Sequence, residues 1–195
     1  MVVPFILMVL SLAGAGLAIW QSGPVLSDGL LLALLMVLAS VILFMRAALR
    51  KPRHWIVIDG SNVMHWGENG TPALAPLHAT IRDFRSVGIT PVVWFDANVG
   101  YKLKDRYMGA YAMARALDLP VSQVRIAPSG TPADPLLLQE AVRLGARVVT
   151  NDRFRDWAET HPEVERPGFL LHGRMAGNGV SLDVDPRTEP ARARG

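Results

Sequence analysis

The sequence predicts an α/β domain built on a central, mainly parallel sheet and preceded by two transmembrane helices. After residue 54, apolar runs of strand length alternate with segments of helical periodicity, which is the pattern of βαβ units around a parallel sheet. Residues 2–20 and 29–45 contain no charged side chain, and each stretch is close to the ~20 residues that cross a bilayer as a helix. The predicted divisions of the 195-residue chain are a transmembrane hairpin at 1–49, a basic linker at 50–54, the α/β domain at 55–184 and a disordered tail at 185–195.

The distribution of basic residues predicts how the hairpin is oriented. The connector 21–28 has no Lys or Arg, whereas Arg46, Arg50, Lys51 and Arg53 follow the second apolar stretch. Cytoplasmic loops carry the excess of basic residues. We therefore expect a multi-pass protein of the plasma (inner) membrane whose α/β domain faces the cytoplasm.

The first apolar stretch has one alternative interpretation, a cleaved signal peptide. It lacks the basic start and the small-residue cleavage site of a signal peptide, and a second apolar stretch follows at once. We therefore predict that residues 1–49 contact the lipid bilayer. Gly14 and Gly16 could promote a homo-oligomer of this hairpin, although small residues also serve ordinary helix packing.

The first half of the domain shows two strands and two helices. Residues 55–59 form an apolar run, and apolar residues recur every three or four positions over 72–87, which predicts a strand and then a helix. A second apolar run, 90–96, contains adjacent valines. Residues 102–119 are predicted to form a second helix, which Pro120 stops.

The second half continues the alternation. We predict a strand at 123–127, a helix at 135–144, a strand at 146–150 and a short helix at 153–159. A small hairpin at 169–182 completes the domain, because a Gly-Asn-Gly sequence supplies its turn.

Acidic residues lie where the predicted strands end. Asp59, Asp96 and Asp152 each follow or close a strand, and Asp134 precedes a helix. Because the carboxyl ends of parallel strands share one edge, these side chains can converge. Taken singly, Asp134 and Asp152 could be helix N-caps and Asp96 a turn residue. As a group without cysteine or paired histidine, they favour Mg²⁺ or Mn²⁺ over zinc.

Polar neighbours extend this carboxylate group. Asp156 follows Asp152 by four residues, so one helical turn would place both on the same face, with Asp156 close to a metal but not bound to it. Asn62 could orient a water or a phosphate oxygen. Ser61 could hold Asp59 or a substrate oxygen.

Four motifs in order resemble a known family. They are Ile-Val-Ile-Asp-Gly-Ser-Asn-Val at 56–63, Val-Val-Trp-Phe-Asp at 92–96, Pro-Ser-Gly-Thr-Pro-Ala-Asp-Pro-Leu-Leu-Leu at 128–138, and Val-Val-Thr-Asn-Asp-Arg-Phe-Arg-Asp-Trp at 148–157. Together they resemble the NYN/PIN-like ribonucleases of the regnase type, first known from CCCH zinc-finger proteins. This chain has no cysteine and hence no CCCH finger.

The resemblance implies a PIN-like three-layer sandwich and a Mg²⁺-dependent endoribonuclease. We expect its RNA substrate to be single-stranded. The resemblance also implies an acidic catalytic pocket, and Ala133 departs from the family pattern because a second acid often stands there. By motif, the catalytic residues are Asp59, Asn62, Asp134, Asp152 and Asp156. Our hypothesis is that Asp59, Asp134 and Asp152 hold the metal, whose bound water attacks phosphorus in line.

Positive charge near the site would bind the substrate. Arg153 and Arg155 flank Asp152, and Lys102 and Lys104 lie on the second predicted helix, where they could contact phosphates or simply form a solvated face. Residues 1–45 contribute one acid and no base, so the rest of the chain, with 20 bases against 16 acids, carries +4. This excess permits nucleic-acid binding.

Two other functions remain open from the sequence. One is an RNA-binding or protein-interaction module of the same fold that is catalytically weak, which Ala133 favours. The other is a metal-dependent DNA nuclease or phosphatase, since acids at strand ends recur on unrelated sheets. The absence of an Asp-x-Asp nucleophile signature argues against the phosphatase, and the lack of cysteine excludes thiol catalysis.

Overall fold

The computed structural model describes residues 2–22, 28–48, 53–67 and 69–185. It divides into two units, Met1–Pro52 and Arg53–Gly195. Parts of three predicted segments lie outside the described residues: residues 23–27 of the connector, residues 50–52 of the linker and the tail from residue 186 onward.

The first unit contains two helices, α1 (Val2–Ser22) and α2 (Asp28–Ala48), at the positions where the sequence predicts helices. The hydroxyl oxygens of Ser11 and Ser40 lie 3.0 Å apart between them. Over the part of the chain that the structure describes, no helix is both long enough and apolar enough to cross a membrane. The transmembrane part of the prediction is therefore not confirmed.

The second unit is built on a sheet of five strands in the order β3-β2-β1-β4-β5, in which every neighbouring pair is parallel. This confirms the predicted parallel sheet. A separate antiparallel hairpin pairs β6 with β7. The strands are β1 (His54–Asp59), β2 (Ile89–Phe95), β3 (Val124–Ile126), β4 (Arg147–Val149), β5 (Leu170–Leu171), β6 (Gly173–Ala176) and β7 (Gly179–Leu182).

Short helices connect these strands. The α-helices of the second unit are α3 (Gly60–Val63), α4 (Ala75–Ser86), α5 (Val99–Lys104), α6 (Ala110–Ala116) and α7 (Ala133–Leu144). Single 3₁₀ turns lie at Val121–Gln123, Arg155–Trp157 and Pro162–Glu165.

Helices cover both faces of the sheet, and successive side chains of β1 point alternately to the two faces. Ile56 and Ile58 point into a core that they share with α4 and α6. Val57, between them, points into a second core that it shares with α7. Strands buried on both faces are expected to be continuously apolar, as β1 is. The unit therefore has three layers.

The predicted helix at 102–119 is wrong, since the structure has α5 and α6 with a reversal between them. Asp105 ends α5 in the left-handed conformation, with φ of 50°. The chain then folds back over Gly100, where an added Cβ would lie 2.4 Å from the Arg106 carbonyl oxygen and from the Met108 nitrogen. Only glycine permits this close crossing.

The predicted helix at 153–159 is also wrong, because only the 3₁₀ turn Arg155–Trp157 forms. Phe154 takes the left-handed conformation, with φ of 48°, and stops a helix from starting at Arg153. Asp152 therefore lies before this turn, and Asp156 lies in it. The two carboxylates do not share an α-helical face.

The predicted hairpin at 169–182 is shorter than expected. Leu170 and Leu171 instead form the fifth strand of the main sheet and pair with Val148 and Val149. The turn of the hairpin lies between Ala176 and Gly179, as the Gly-Asn-Gly sequence predicts.

Candidate functional site

The candidate site lies at the carboxyl edge of the sheet, between β1 and β4. The strand order reverses there, since β2 and β3 lie on one side of β1 and β4 and β5 on the other. In open α/β sheets, ligands bind at such a reversal point. Asp59 is the last residue of β1, and Thr150 follows the last residue of β4.

Asp59 is the most buried carboxylate of this edge, with 9% of its surface exposed. Its Oδ1 accepts a hydrogen bond from the Asn62 backbone N–H at 3.1 Å, so it caps α3. Its Oδ2 accepts the Thr150 hydroxyl at 2.9 Å. Both oxygens are thus held in place across the two strands.

The environment of Asp59 disfavours its negative charge. Burial is the main cause that raises the pKa of Asp59, from 3.8 to about 7. The hydrogen bonds from Thr150 and Asn62 lower it, whereas the charges of Asp134 and Asp96 raise it further. Near neutral pH, Asp59 therefore gains or loses a proton readily, and a nearby cation would favour the charged form.

Gly60 is what allows β1 to turn into α3 at this point. A Cβ on Gly60 would lie 2.3 Å from Cε1 of Phe95, a residue that is fully buried. The backbone at Gly60 therefore approaches the Phe95 ring more closely than any residue with a Cβ would allow.

Asn62 connects the two strand ends. Its Oδ1 accepts hydrogen bonds from Trp66 Nε1 and from the Asn151 backbone N–H, both at 2.9 Å. Because both lone pairs of this oxygen are in use, only the side-chain nitrogen can contact a substrate. The predicted role for Asn62, orienting a water or a phosphate oxygen, is thereby limited to donation.

The loop after β4 positions Asp152. The Asp152 backbone N–H donates to the Thr150 hydroxyl oxygen at 3.0 Å, and Asp152 Oδ1 accepts the Phe154 N–H at 2.8 Å. Asn151 pairs twice with the backbone of Gly173, at 2.9 and 3.0 Å. The loop is therefore fixed on both sides, and Asp152 holds a turn without capping a helix.

Asp134 lies in the first turn of α7 and does not cap it, since the N-cap residue is Pro132. Its Oδ2 accepts the Trp157 indole N–H at 3.3 Å. Burial is the first cause that raises the pKa of Asp134; the hydrogen bond from Trp157 opposes this, and the charges of Asp152, Asp96 and Asp156 add to it. The predicted acids are thus close enough to repel one another.

This repulsion is the observation that fits a cation, since oxygen donors at an acidic edge suit Mg²⁺ or Mn²⁺. Within the described residues, however, no three His, Cys, Asp or Glu side chains are grouped so that they could hold a metal ion. The predicted three-carboxylate set of Asp59, Asp134 and Asp152 is therefore not preformed. One oxygen of each of two of these carboxylates is already engaged, since Asp152 Oδ1 accepts the Phe154 N–H and Asp134 Oδ2 accepts the Trp157 indole N–H. Mg²⁺ commonly needs only one or two carboxylates, together with waters and substrate phosphates.

Ser61 binds the neighbouring strand end. Its hydroxyl oxygen accepts the Asp96 backbone N–H at 2.9 Å, so it is tied to Asp96 and not to Asp59. Asp96 Oδ2 lies 3.7 Å from Lys102 Nζ. Lys102 is thus at the margin of the acidic edge, as a substrate-binding residue would be.

The other predicted substrate-binding residues are Lys104, Arg153 and Arg155, and all three are exposed. Arg153 and Arg155 lie on either side of Phe154 in the loop and turn that carry Asp152 and Asp156. Their assignment to phosphate binding stays a prediction, as do the catalytic assignments.

Sequence reasoning missed three residues that shape the site, namely Thr150, Asn151 and Trp157. Thr150 stands at the strand end directly before Asn-Asp, which is a usable signal for a hydroxyl that faces Asp59. Trp157 gave no signal, because its contact with Asp134 joins residues 23 positions apart.

A central parallel sheet between two layers of helices, with acids at its reversal point, is the architecture of a PIN-like α/β domain. A family model described as the Zc3h12a-like ribonuclease NYN domain matches residues 52–167, more than half of the chain. The chain therefore belongs to this ribonuclease domain family, as the regnase-type motifs predicted.

A solved structure agrees on the fold. The chain is similar to nuclear protein-only RNase P 2 of Arabidopsis thaliana, with 18% identity and a TM-score of 0.52 over 81% of this chain and 35% of that chain. A second structure of the RNase P 2 gives 18% identity and a TM-score of 0.49 over 79% and 35%. This chain thus spans about a third of that protein's length. No curated protein matches the chain significantly.

Proposed function

We propose that this chain is a Mg²⁺-dependent endoribonuclease that cleaves single-stranded RNA at the edge between β1 and β4. Membership of the ribonuclease NYN family supports the reaction class. The observation that carries the proposal is Asp59, a buried carboxylate at the strand reversal whose pKa is raised to about 7. A buried, repelled carboxylate costs stability, and a bound cation would offset that cost.

The residues that would hold the metal are Asp59 together with Asp134 or Asp152. When bound, the ion would supply Lewis-acid activation of the scissile phosphate and of a water. Thr150 and the Asn62 N–H fix the direction of the Asp59 oxygens through their hydrogen bonds. Asp156 is exposed and close enough to raise the pKa of Asp134, so it can orient the attacking water or take up its proton.

The alternative function is binding of RNA without turnover, and Ala133 is the observation that favours it. Ala133 is 6% exposed at the start of α7, next to Asp134. Its methyl group supplies no charge where related proteins often have an acid. The two proposals differ in one measurable property, the metal-dependent production of RNA fragments.

The test is cleavage of end-labelled RNA and of DNA of the same sequence by the full chain, with Mg²⁺, Mn²⁺ or EDTA. We expect internal cuts in single-stranded RNA that need the metal and that disappear in Asp59→Asn and Asp152→Asn. The matched control is Asp118→Asn, because Asp118 lies beyond the end of α6, where its carbonyl accepts a hydrogen bond from Arg85 in the last turn of α4. Undiminished cleavage by Asp59→Asn would refute the site, and RNA binding without cleavage would favour the alternative.

Membrane location is a second proposal, and it concerns α1 and α2 alone. Large apolar side chains of both helices are exposed, such as Leu10 and Leu35 at 62% each. The small polar residues Ser11 and Ser40 are instead buried, at 8% and 5%. This reversed distribution suits a lipid environment around the pair.

We further propose that the nuclease domain faces the cytoplasm at the inner membrane and that the small-residue face of α1 permits a homo-oligomer. Arg46 in the last turn of α2 supports the orientation, and the open space at Gly14 and Gly16 supports the contact between copies. The full chain should stay with membranes after an alkaline carbonate wash and leave them only in detergent. Release by carbonate would refute the membrane proposal.

A further inference from the structure

Three tyrosines in the segment after β2 are exposed to solvent. Tyr101 in α5 is 56% exposed, Tyr107 in the following reversal 69%, and Tyr111 in α6 72%. We call Tyr101, Tyr107 and Tyr111 the tyrosine platform. Exposed aromatic side chains that are not part of a core often mark a binding surface.

The platform is carried on a fixed backbone. Val99, Met108 and Met113 lie in the same segment as the tyrosines and are 0%, 5% and 0% exposed. The close crossing over Gly100 further fixes the reversal between the two helices. The rings are therefore displayed by a packed segment, and little conformational entropy is lost when a ligand contacts them.

The same segment begins at the acidic edge. Lys102, next to Tyr101, lies 3.7 Å from Asp96, and the charge of Asp96 contributes to the raised pKa of Asp59. Asp96 is also tied to Ser61 at the end of β1. The segment that carries the tyrosines therefore starts beside the candidate site.

The charges around the platform complement RNA. Lys102, Lys104 and Arg106 are exposed between the tyrosines, and Asp105 is the one acid among them. Basic side chains hold phosphates without regard to sequence, while aromatic rings stack on unpaired bases. This alternation favours a polyanion with accessible bases over an apolar protein partner.

We propose that the tyrosine platform stacks on unpaired bases of single-stranded RNA beside the cleavage site, with Lys102 and Lys104 on the adjoining phosphates. This inference rests on the proposed ribonuclease function, to which it adds the side chains that bind the bases next to the cleaved bond. Bases within a duplex have no free face for the rings, so duplex RNA should bind only through its phosphates.

The test is fluorescence anisotropy of labelled single-stranded RNA and of its duplex with the full chain in EDTA, where metal-dependent cleavage is off. Tyr107→Ala and Tyr111→Ala should each weaken single-strand binding by about 5- to 100-fold. The matched controls Tyr107→Phe and Tyr111→Phe keep the ring and should bind within about twofold of the parent chain. Lys104→Ala should instead reduce the salt dependence of binding, by a slope of about 0.7.

Wild-type affinity in both alanine variants would overturn the proposal, as would equal affinity for single-stranded and duplex RNA. An alanine effect that appears only as loss of self-association would assign the platform to a second copy of this chain and refute RNA stacking. Circular dichroism checks that the variants fold. If binding depends on the tyrosines but no variant or parent cleaves RNA, the proposed function fails while the platform stands. If cleavage depends on Asp59 but its KM is the same in the tyrosine variants as in the parent chain, only the proposal for the tyrosine platform is refuted.

Discussion

The pKa of Asp59 predicts that stability falls as pH rises. The folded pKa is about 7 against 3.8 for the unfolded chain, so the folded state binds the proton more tightly. The resulting stabilisation is fully present below about pH 4 and is lost as pH rises through about 7. At about 1.4 kcal/mol per pKa unit, the whole difference is about 4 kcal/mol.

The assay is the urea-induced unfolding of the full chain at a series of pH values in EDTA, compared with Asp59→Asn. The variant has no titrating group at this position, so its free energy of unfolding should lack the loss of about 4 kcal/mol between about pH 4 and about pH 8. The comparison uses the slopes, because asparagine cannot reproduce both hydrogen bonds and this changes the absolute stability independently of pH. Parallel slopes for the two chains would refute the assignment of a raised pKa to Asp59.

Three further substitutions test the supports of Asp59 and Asp134. Gly60→Ala places a Cβ 2.3 Å from the buried Phe95 ring, so thermal unfolding should show a stability loss of about 1–3 kcal/mol. The control is Gly67→Ala, whose Cβ would have its nearest neighbour 4.0 Å away. Equal melting temperatures for the two variants would contradict this packing. Thr150→Val keeps the shape but removes the donor to Asp59 at 2.9 Å, so the Mg²⁺ concentration for half-maximal cleavage should rise, together with a stability loss of about 1–2 kcal/mol; an unchanged Mg²⁺ requirement would count against the hydrogen bond's role. Trp157→Phe removes the donor to Asp134 at 3.3 Å, so the pKa of Asp134 should rise further and the acidic limb of the pH–rate profile should move to higher pH; a profile that stays in place would separate Asp134 from the reaction.

The parts of the fold that depend on local pattern could be predicted from the sequence. The apolar run ending at Asp59 reads as a doubly buried strand, and the structure places it at the centre of the sheet. Leu170 and Leu171 could not be assigned to that sheet, because a two-residue strand has no periodicity and depends on pairing with Val148 and Val149. The left-handed Phe154 could not be foreseen either, since its neighbours have ordinary helical propensity.

The site shows the same division. The order and spacing of the motifs along the chain predicted that Asp59, Asp134 and Asp152 lie at one edge of the sheet. The hydrogen bonds that orient them depend on side chains distant in sequence, such as Thr150, which is 91 residues from Asp59. The motifs therefore predict which acids form the site, and only the packing shows which acid is buried and which is engaged by a turn.

Burial and repulsion at this edge also predict how RNA binding depends on the metal. The charges of Asp96 and Asp134 raise the pKa of Asp59, and the charge of Asp96 also raises the pKa of Asp134, so a phosphate that approaches this edge without a cation meets negative charge. Replacing Asp59 by Asn removes one such charge. In EDTA at about pH 8, above the Asp59 pKa, Asp59→Asn should therefore bind single-stranded RNA at least as tightly as the parent chain.

With Mg²⁺ the parent chain should instead bind the RNA more tightly than Asp59→Asn. The parent chain can place a cation between its carboxylates and the phosphate, whereas Asp59→Asn has lost the most buried of these ligands. Anisotropy at constant ionic strength, read before measurable cleavage has occurred, covers both conditions, and Asp118→Asn serves as the charge-matched control. Parent and variant affinities that respond equally to Mg²⁺ would show that the cation does not bind through Asp59. Mutual repulsion without a preformed cage makes cation and substrate binding interdependent, since each brings the charge that the other needs.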